Sequence, residues 1–187
     1  MVSPSTKLTL DEFLALPEGQ GDVTYELVDG QAVAKVSPKY FHSTLQAALI
    51  ILIRAWCRGK GRVCSEWAIV LRRQGQPWVT VPDLTYISYD RLPATWKRNE
   101  ACPALPELVI EIISPDQTVK EFEDKAKDYI AAGVSLVWVV NPQTQSITVF
   151  TADGLSQIYT DYTPIVNFLL PGLELTPKQV FEEAELI

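Results

Sequence analysis

The sequence predicts a mixed α/β domain, in which a central mixed β-sheet is flanked by helices and hairpins lie near both ends of the chain. The first observation is that residues 108–140 contain a strand-like segment, then a helical segment, and then a second strand-like segment. This order predicts two parallel strands with the helix packed across them. The second is Asp29-Gly30 and Asp153-Gly154, which are two-residue signals for tight hairpins. The third is the length, since 187 residues without a repeat or linker suit one domain, residues 1–187.

The first predicted elements are a short helix and a hairpin. Thr9 and Glu12 have the spacing of a capping box, in which the two side chains bond the free amides of a helix start, and Pro17 should end this helix. Strand-like segments at 25–28 and 31–36 flank the first hairpin turn.

A long helix and two strands come next. Apolar residues at helical spacing over 41–58 predict a buried helix that ends at Gly59. Strands are predicted over 62–71 and 78–88, on either side of a polar turn. Pro82 has no N–H for the ladder, so the second strand should be irregular there.

The crossover unit has the clearest boundaries. An apolar run over 108–113 predicts a buried strand, and 118–121 has the Thr-x-x-Glu form of a second capping box. The helix should extend over 119–132 and stop at Gly133. The second buried strand is predicted over 136–140.

The rest of the chain is a loop, a hairpin and a short helix. Residues 89–104 are rich in proline and charge and predict a long surface loop. Strands over 146–150 and 156–160 flank the second hairpin turn, and Thr176-Pro177 should start the last helix.

Composition and charge exclude several classes of protein. With 47% hydrophobic residues the chain is globular, and a net charge of −7 counts against nonspecific coating of nucleic acid. The apolar run 47–53 is too short to span a membrane, and the N-terminus lacks a signal peptide, so we expect a cytoplasmic protein. The sequence leaves the oligomeric state open, and a homo-oligomer is compatible with it.

A zinc site is not predicted. Cys57, Cys64 and Cys102 show no paired ligand spacing, and reduced thiols are the simplest account of them. His42 is the only histidine, which favours a solvated or hydrogen-bonded helix residue over a metal ligand.

Three carboxylates lie in strand-like segments, where acidic residues are depleted: Glu26, Asp83 and Glu111. Clustered carboxylates suit Mg²⁺ or Mn²⁺, which take one or two of them together with waters and phosphate oxygens. Bound there, such a cation polarises a phosphodiester and activates water. Turn chemistry beside Pro82 is the alternative interpretation of Asp83.

Lys125 is the predicted partner of Glu111. It lies at the rim of the apolar stripe of the crossover helix and can reach a strand end by burying its stem. The stripe consists of Val119, Phe122, Ala126, Tyr129 and Ile130. A structural ion pair between Lys125 and Glu111 is the alternative to a catalytic role.

These residues resemble a known nuclease pattern. Pro82-Asp83 followed by Glu111 in a buried strand resembles the PD-(D/E)XK nuclease superfamily. More closely, the chain is similar to a large bacterial family of restriction-endonuclease-like proteins. The matching segments are 8–13, 25–30, Pro82-Asp83, Glu111 with Ser114-Pro115, Lys125 with Tyr129, 132–134, Trp138 and 171–173.

The resemblance implies a restriction-endonuclease-like core and a Mg²⁺- or Mn²⁺-dependent endonuclease that hydrolyses phosphodiester bonds of DNA. Asp83 and Glu111 would hold the metal, together with the main-chain carbonyl of Ile113. Glu26 would be a supporting acidic ligand. One departure is that Ile113 stands where the standard motif has lysine, and Lys125 of the following helix would supply the amine instead.

Two other functions are compatible with the sequence. A catalytically inactive module could keep the nuclease fold to bind nucleic acid or a protein partner, which the net acidity and the missing lysine at Ile113 favour. An acid–base enzyme could use Glu26 and Glu111 on a small molecule, although the chain has no nucleophile or cofactor motif for it.

Overall fold

Two β-sheets and four helices make up the part of the chain that the computed structural model describes, residues 7–16 and 24–187. The helices are α1 (Leu10–Leu14), α2 (Tyr40–Trp56), α3 (Val119–Ala131) and α4 (Pro177–Glu183). The strands are β1 (Tyr25–Val28), β2 (Gln31–Ala34), β3 (Gly61–Ser65), β4 (Ile69–Arg73), β5 (Gln76–Thr80), β6 (Leu84–Ser88), β7 (Leu108–Ile112), β8 (Leu136–Asn141), β9 (Ser146–Thr151) and β10 (Ser156–Thr160).

The larger sheet has the order β10-β9-β8-β7-β6-β3, and the smaller has the order β2-β1-β5-β4. Among the named strands of the described residues, β7 and β8 are the pair that runs parallel, with Leu108 opposite Leu136, and the other pairs are antiparallel. The predicted crossover is therefore confirmed, as is the mixed sheet. Both predicted hairpins form, although the first lies in the smaller sheet.

The larger sheet separates two apolar layers because successive side chains of a strand point to opposite faces. On one face, Ile110 and Ile112 of β7 join a cluster with α2 and α4. On the other face, Val109 of β7 joins a cluster with α3 and with β4 and β5 of the smaller sheet. The ring centroids of Trp78 and Tyr129 lie 4.8 Å apart in this second layer. Glu111 shares the face of Val109 and so points toward α3.

The prediction of two continuous strands over 62–71 and 78–88 is wrong. Each is broken, and the hairpin β4–β5 leaves the larger sheet to join the smaller one. Pro82 lies in the second break, as expected from its missing N–H. In the first break Glu66 has a left-handed φ of 51°. The two breaks face each other, since the Glu66 amide donates to the Asp83 carbonyl at 3.3 Å.

The helix boundaries follow their sequence signals closely. Capping boxes form at Thr9 and at Thr118, as predicted. Helix α3 is followed by Gly133, whose φ of 101° suits glycine. The predicted buried stripe of α3 is wrong at one position, because Val119 in the first turn is 46% exposed. Pro17 lies outside the described residues.

Other predictions have mixed outcomes. The segment 89–104 contains no helix or strand, as expected, but it is partly packed, because Leu92 and Cys102 are buried. All three cysteines are free thiols. Among the described residues, no helix combines the length and the apolar character that a membrane span requires.

Candidate active site

Glu111 of β7 meets two side chains of α3. Lys125 and Tyr129 lie one helical turn apart on the face of α3 that covers β7. The Lys125 ammonium is 3.1 Å from Glu111 Oε1, and the Tyr129 hydroxyl is 2.6 Å from the same oxygen. Glu111 is only 3% exposed. The structure thus brings together the pair predicted from the crossover unit.

Glu26 of β1 joins this cluster from the smaller sheet. Its Oε1 accepts hydrogen bonds from the Thr80 hydroxyl at 2.9 Å and from the Val81 amide at 2.8 Å. The Lys125 ammonium donates to the same oxygen at 3.1 Å. Lys125 therefore bridges carboxylates of both sheets, and it is 26% exposed at its side chain. This arrangement connects Glu26 and Glu111 through one cation.

Asp83 lies at the point where the chain returns from the smaller sheet to β6. It is 2% exposed, so each carboxylate oxygen needs a partner. Oδ2 accepts from the Ile112 amide at 2.7 Å and contacts His42 Nε2 at 3.0 Å. Oδ1 accepts from the Lys35 ammonium at 2.8 Å. The Ile112 contact fixes Asp83 directly beside the strand end that carries Glu111.

Lys35 and His42 are site residues that the sequence analysis missed. Lys35, which follows β2, also donates to Glu66 Oε2 at 2.6 Å, so it bridges two carboxylates as Lys125 does. His42 is a buried, hydrogen-bonded helix residue, which matches one of the two alternatives expected for it. The sequence signal available for it was its position near the start of α2.

The charges of these groups perturb one another. Burial raises the pKa of Glu111 to about 7, with Asp83 and Glu26 adding to the rise and Lys125 opposing it. For Lys125, burial alone would lower the pKa, but Glu111 and Glu26 outweigh it and the pKa is raised. For Asp83, the hydrogen bond from His42 and the charge of Lys35 outweigh burial, so its pKa is lowered. The site therefore favours an ionised Asp83 and a charged Lys125.

Four side-chain oxygens lie in a row between the two sheets. Thr80 Oγ1 lies 2.6 Å from the Tyr129 hydroxyl, so Glu26, Thr80, Tyr129 and Glu111 form a chain of three O···O contacts. The Tyr129 hydroxyl donates to Glu111 Oε1, and the Thr80 hydroxyl donates to Glu26 Oε1. The chain therefore links the carboxylate of the larger sheet to that of the smaller sheet.

The acids open onto one cleft of about 590 Å³. Glu26, Asp83, Glu111 and Lys125 all line it. Ile113 instead lines an adjoining apolar pocket, and the neighbour of Glu111 that lines the cleft is Ile112. The role predicted for the Ile113 carbonyl stays a prediction.

A cation in this cleft would have fewer than three acidic, histidine or cysteine side chains of the described residues as ligands. In residues 7–16 and 24–187, no group of three His, Cys, Asp or Glu side chains is arranged to hold a metal ion. Oε2 of Glu111 accepts no hydrogen bond from the described residues, and Oδ1 of Asp83 accepts one. Hard oxygen atoms with unused lone pairs are the ligands that Mg²⁺ and Mn²⁺ prefer.

Comparisons with known proteins agree with this architecture. A solved structure from Anabaena variabilis ATCC 29413, described as "a putative nuclease belonging to DUF820", matches with a TM-score of 0.78. The two chains are 24% identical over 95% of this chain and 99% of that one, a likeness that shows the fold. No curated protein matches. The model of the Uma2 family, described as "Putative restriction endonuclease", matches residues 10–186. The chain therefore belongs to the Uma2 family.

Proposed function

We propose that this protein is a metal-dependent endonuclease that hydrolyses phosphodiester bonds of DNA. The observation that carries the proposal is the meeting of Asp83, Glu111 and Lys125 in one cleft, although they come from three separate elements. Family membership supports the same reaction class, since the family is described as a restriction endonuclease family. The nuclease description of the structural neighbour is consistent with it.

Asp83 and Glu111 would hold Mg²⁺ or Mn²⁺, with Glu26 as a supporting acid. Mg²⁺ is usually bound by one or two carboxylates, with waters and substrate phosphate oxygens completing its shell. The cation would polarise the scissile phosphodiester and favour ionisation of water. The Ile112 amide and His42 hold the Asp83 carboxylate in one orientation, so that it meets the ligand without rearranging.

Lys125 would act through its charge. Its ammonium is fixed by Glu111 and Glu26, 3.1 Å from an oxygen of each. A fixed ammonium at this place can orient the attacking water and stabilise the negative charge that develops on the phosphate. Tyr129 donates to the same Glu111 oxygen and so helps to hold that oxygen beside Lys125.

Cleavage assays with matched variants test the proposal. Wild-type protein is incubated with plasmid DNA in Mg²⁺, in Mn²⁺ and in EDTA, beside Asp83→Ala and Lys125→Ala. Lys120→Ala is the control, because Lys120 lies on the exposed side of the same helix, paired with Asp124. We expect cleavage by the wild type and the control only, and only with metal. Unchanged cleavage by both site variants would rule the proposal out.

The second candidate is a noncatalytic module with the nuclease fold. The observation that favours it is Ile113, which brings no amine to the strand and faces an apolar pocket. Calorimetry separates the two candidates, because a bound cation stabilises the folded protein by about 2.7 kcal/mol at a hundred times its dissociation constant. The module predicts the same thermal transition in Mg²⁺, Mn²⁺ and EDTA.

A further inference from the structure

A second pocket opens beside the cleft of Asp83 and Glu111. It has a volume of about 310 Å³, and His42, Ser114 and Gln117 line both spaces. The pocket is therefore continuous with the candidate active site. Ile113, which replaces the lysine of the standard motif, forms part of its wall. The Ile113 side chain gives this part of the wall an apolar surface.

Two exposed aromatic rings stand at this pocket. Tyr40 is 65% exposed and Phe41 is 54% exposed, although both lie in the first turn of α2. Their ring centroids are 5.8 Å apart, with 56° between the ring planes. Aromatic side chains that remain exposed beside a nucleic-acid groove are the usual stacking platforms for unpaired bases. Neither ring is needed for the core, because neither is buried.

Polar groups at the pocket point to a base edge. Asn141 Oδ1 accepts from the Gln143 amide at 2.9 Å, and Gln117 Oε1 accepts from the Ser114 amide at 3.1 Å. Backbone amides can only donate, so these contacts assign the side-chain oxygens and leave each NH₂ group as the outward donor. Within the described residues, neither NH₂ group has an acceptor. Ring nitrogens and carbonyl oxygens of bases are acceptors of this kind.

We propose that this pocket takes one unpaired nucleobase of the substrate strand. The proposal rests on the proposed function and narrows its substrate class to DNA with single-stranded or locally opened segments. Lys39, at the rim, is 54% exposed at its side chain and forms an ion pair with Asp116. Its ammonium would exchange this partner for the phosphate next to the bound base. The occupant is a base because apolar walls, aromatic rings and amide donors together match its faces and its edge.

Binding measurements test the pocket apart from catalysis. A short fluorescent single-stranded oligonucleotide, a duplex of the same sequence and an all-abasic strand of equal length are titrated in EDTA by fluorescence anisotropy. The proteins are the wild type, Tyr40→Ala and Phe41→Ala. Phe168→Ala is the matched control, because Phe168 is 86% exposed and lines neither the cleft nor the pocket. Thermal unfolding verifies that each variant folds.

We expect the wild type to prefer the single strand to the duplex. Tyr40→Ala and Phe41→Ala should weaken single-strand binding by about 5- to 160-fold, the range that stacking of one base gives. Binding of the abasic strand should be the same in all variants, since that strand has no base to stack. The control should bind all three probes as the wild type does.

Three results would overturn the proposal: tighter binding of the duplex, equal losses on the intact and abasic strands, or no binding of any probe. A change of oligomeric state in Tyr40→Ala without a change in DNA binding would also overturn it and assign the pocket to a second copy. The nuclease proposal is judged separately by the cleavage assay. Base-dependent binding without cleavage supports the pocket alone, and cleavage without base-dependent binding supports the nuclease alone.

Discussion

Replacing Glu111 by glutamine should change how the stability of the protein depends on pH. The wild-type carboxyl is 3% exposed, and its pKa is raised to about 7 by burial and by the nearby Asp83 and Glu26, against the opposing charge of Lys125. Glu111→Gln keeps the shape and an acceptor for Tyr129 but cannot ionise. Any pH dependence that arises from Glu111 is therefore absent from the variant.

The sign and size of the effect follow from the two pKa values. The unfolded carboxyl ionises near 4.5 and the folded one near 7, so between these pH values the folded protein binds more protons. The free energy of unfolding of the wild type then falls as pH rises from 4.5 to 7, and the contribution is constant above 7. At about 1.4 kcal/mol for each pH unit, the loss is about 3 kcal/mol.

Urea unfolding of the two proteins measures this loss. Tryptophan fluorescence reports the transition, and EDTA keeps divalent cations away. Between pH 5 and pH 8, the free energy of unfolding of Glu111→Gln should rise relative to the wild type by about 2.5 kcal/mol, or about 5–10 °C in melting temperature. Glu183→Gln, at an exposed position of α4, is the control and should track the wild type. A stability difference between Glu111→Gln and wild type that stays constant over this pH range would refute the reasoning.

Three further substitutions test individual contacts by urea unfolding at pH 7. Tyr129→Phe removes the hydroxyl that contacts Glu111 and Thr80, and should lower the free energy of unfolding by about 1–3 kcal/mol, whereas no loss would show that the hydroxyl contributes nothing. His42→Ala removes one hydrogen-bond partner of buried Asp83 and should lower the free energy of unfolding by about 1–3 kcal/mol. His42→Gln keeps a donor at this position and should lower the free energy of unfolding by less. Gly133→Ala places a side chain on a backbone with φ of 101° and should lower the free energy of unfolding by about 1–2 kcal/mol. The control Glu183→Ala, at an exposed position, should leave the free energy of unfolding nearly unchanged.

The crossover unit could be predicted because its signals are local. The capping box at Thr118, the glycine after α3 and the two apolar runs fix the order strand, helix, strand, and chirality then leaves one packing. That packing places Lys125 over β7, so its contact with Glu111 follows from one local unit. Local signals alone could give the pairing of these two residues, whereas Glu26 and Asp83 were named from acidic residues in strand-like segments and from the family resemblance.

The breaks of the two long strands could not be predicted, because a strand that changes sheets keeps its apolar pattern. Pro82 marks one break, but Glu66 reaches its left-handed conformation only because the chain must turn toward the smaller sheet there. The partners of Asp83 were missed for a similar reason. Lys35 and His42 lie 48 and 41 residues away in sequence, and only the assembled sheets bring them to it.

The charge balance around Asp83 and Glu111 bears on the proposed cation. In the described part of the chain, four carboxylates of one contact network share two ammonium groups: Glu26 and Glu111 contact Lys125, and Glu66 and Asp83 contact Lys35. Burial, reinforced by the negative charges of Asp83 and Glu26, raises the pKa of Glu111 to about 7 and so favours a proton on this carboxyl below that pH. The scissile phosphodiester, placed directly beside these carboxylates, would add further negative charge and be repelled at that point. Under the proposed function, a cation between Asp83 and Glu111 would replace that proton and attract the scissile phosphate, so the carboxylates that disfavour this phosphate without metal would hold the metal that binds it.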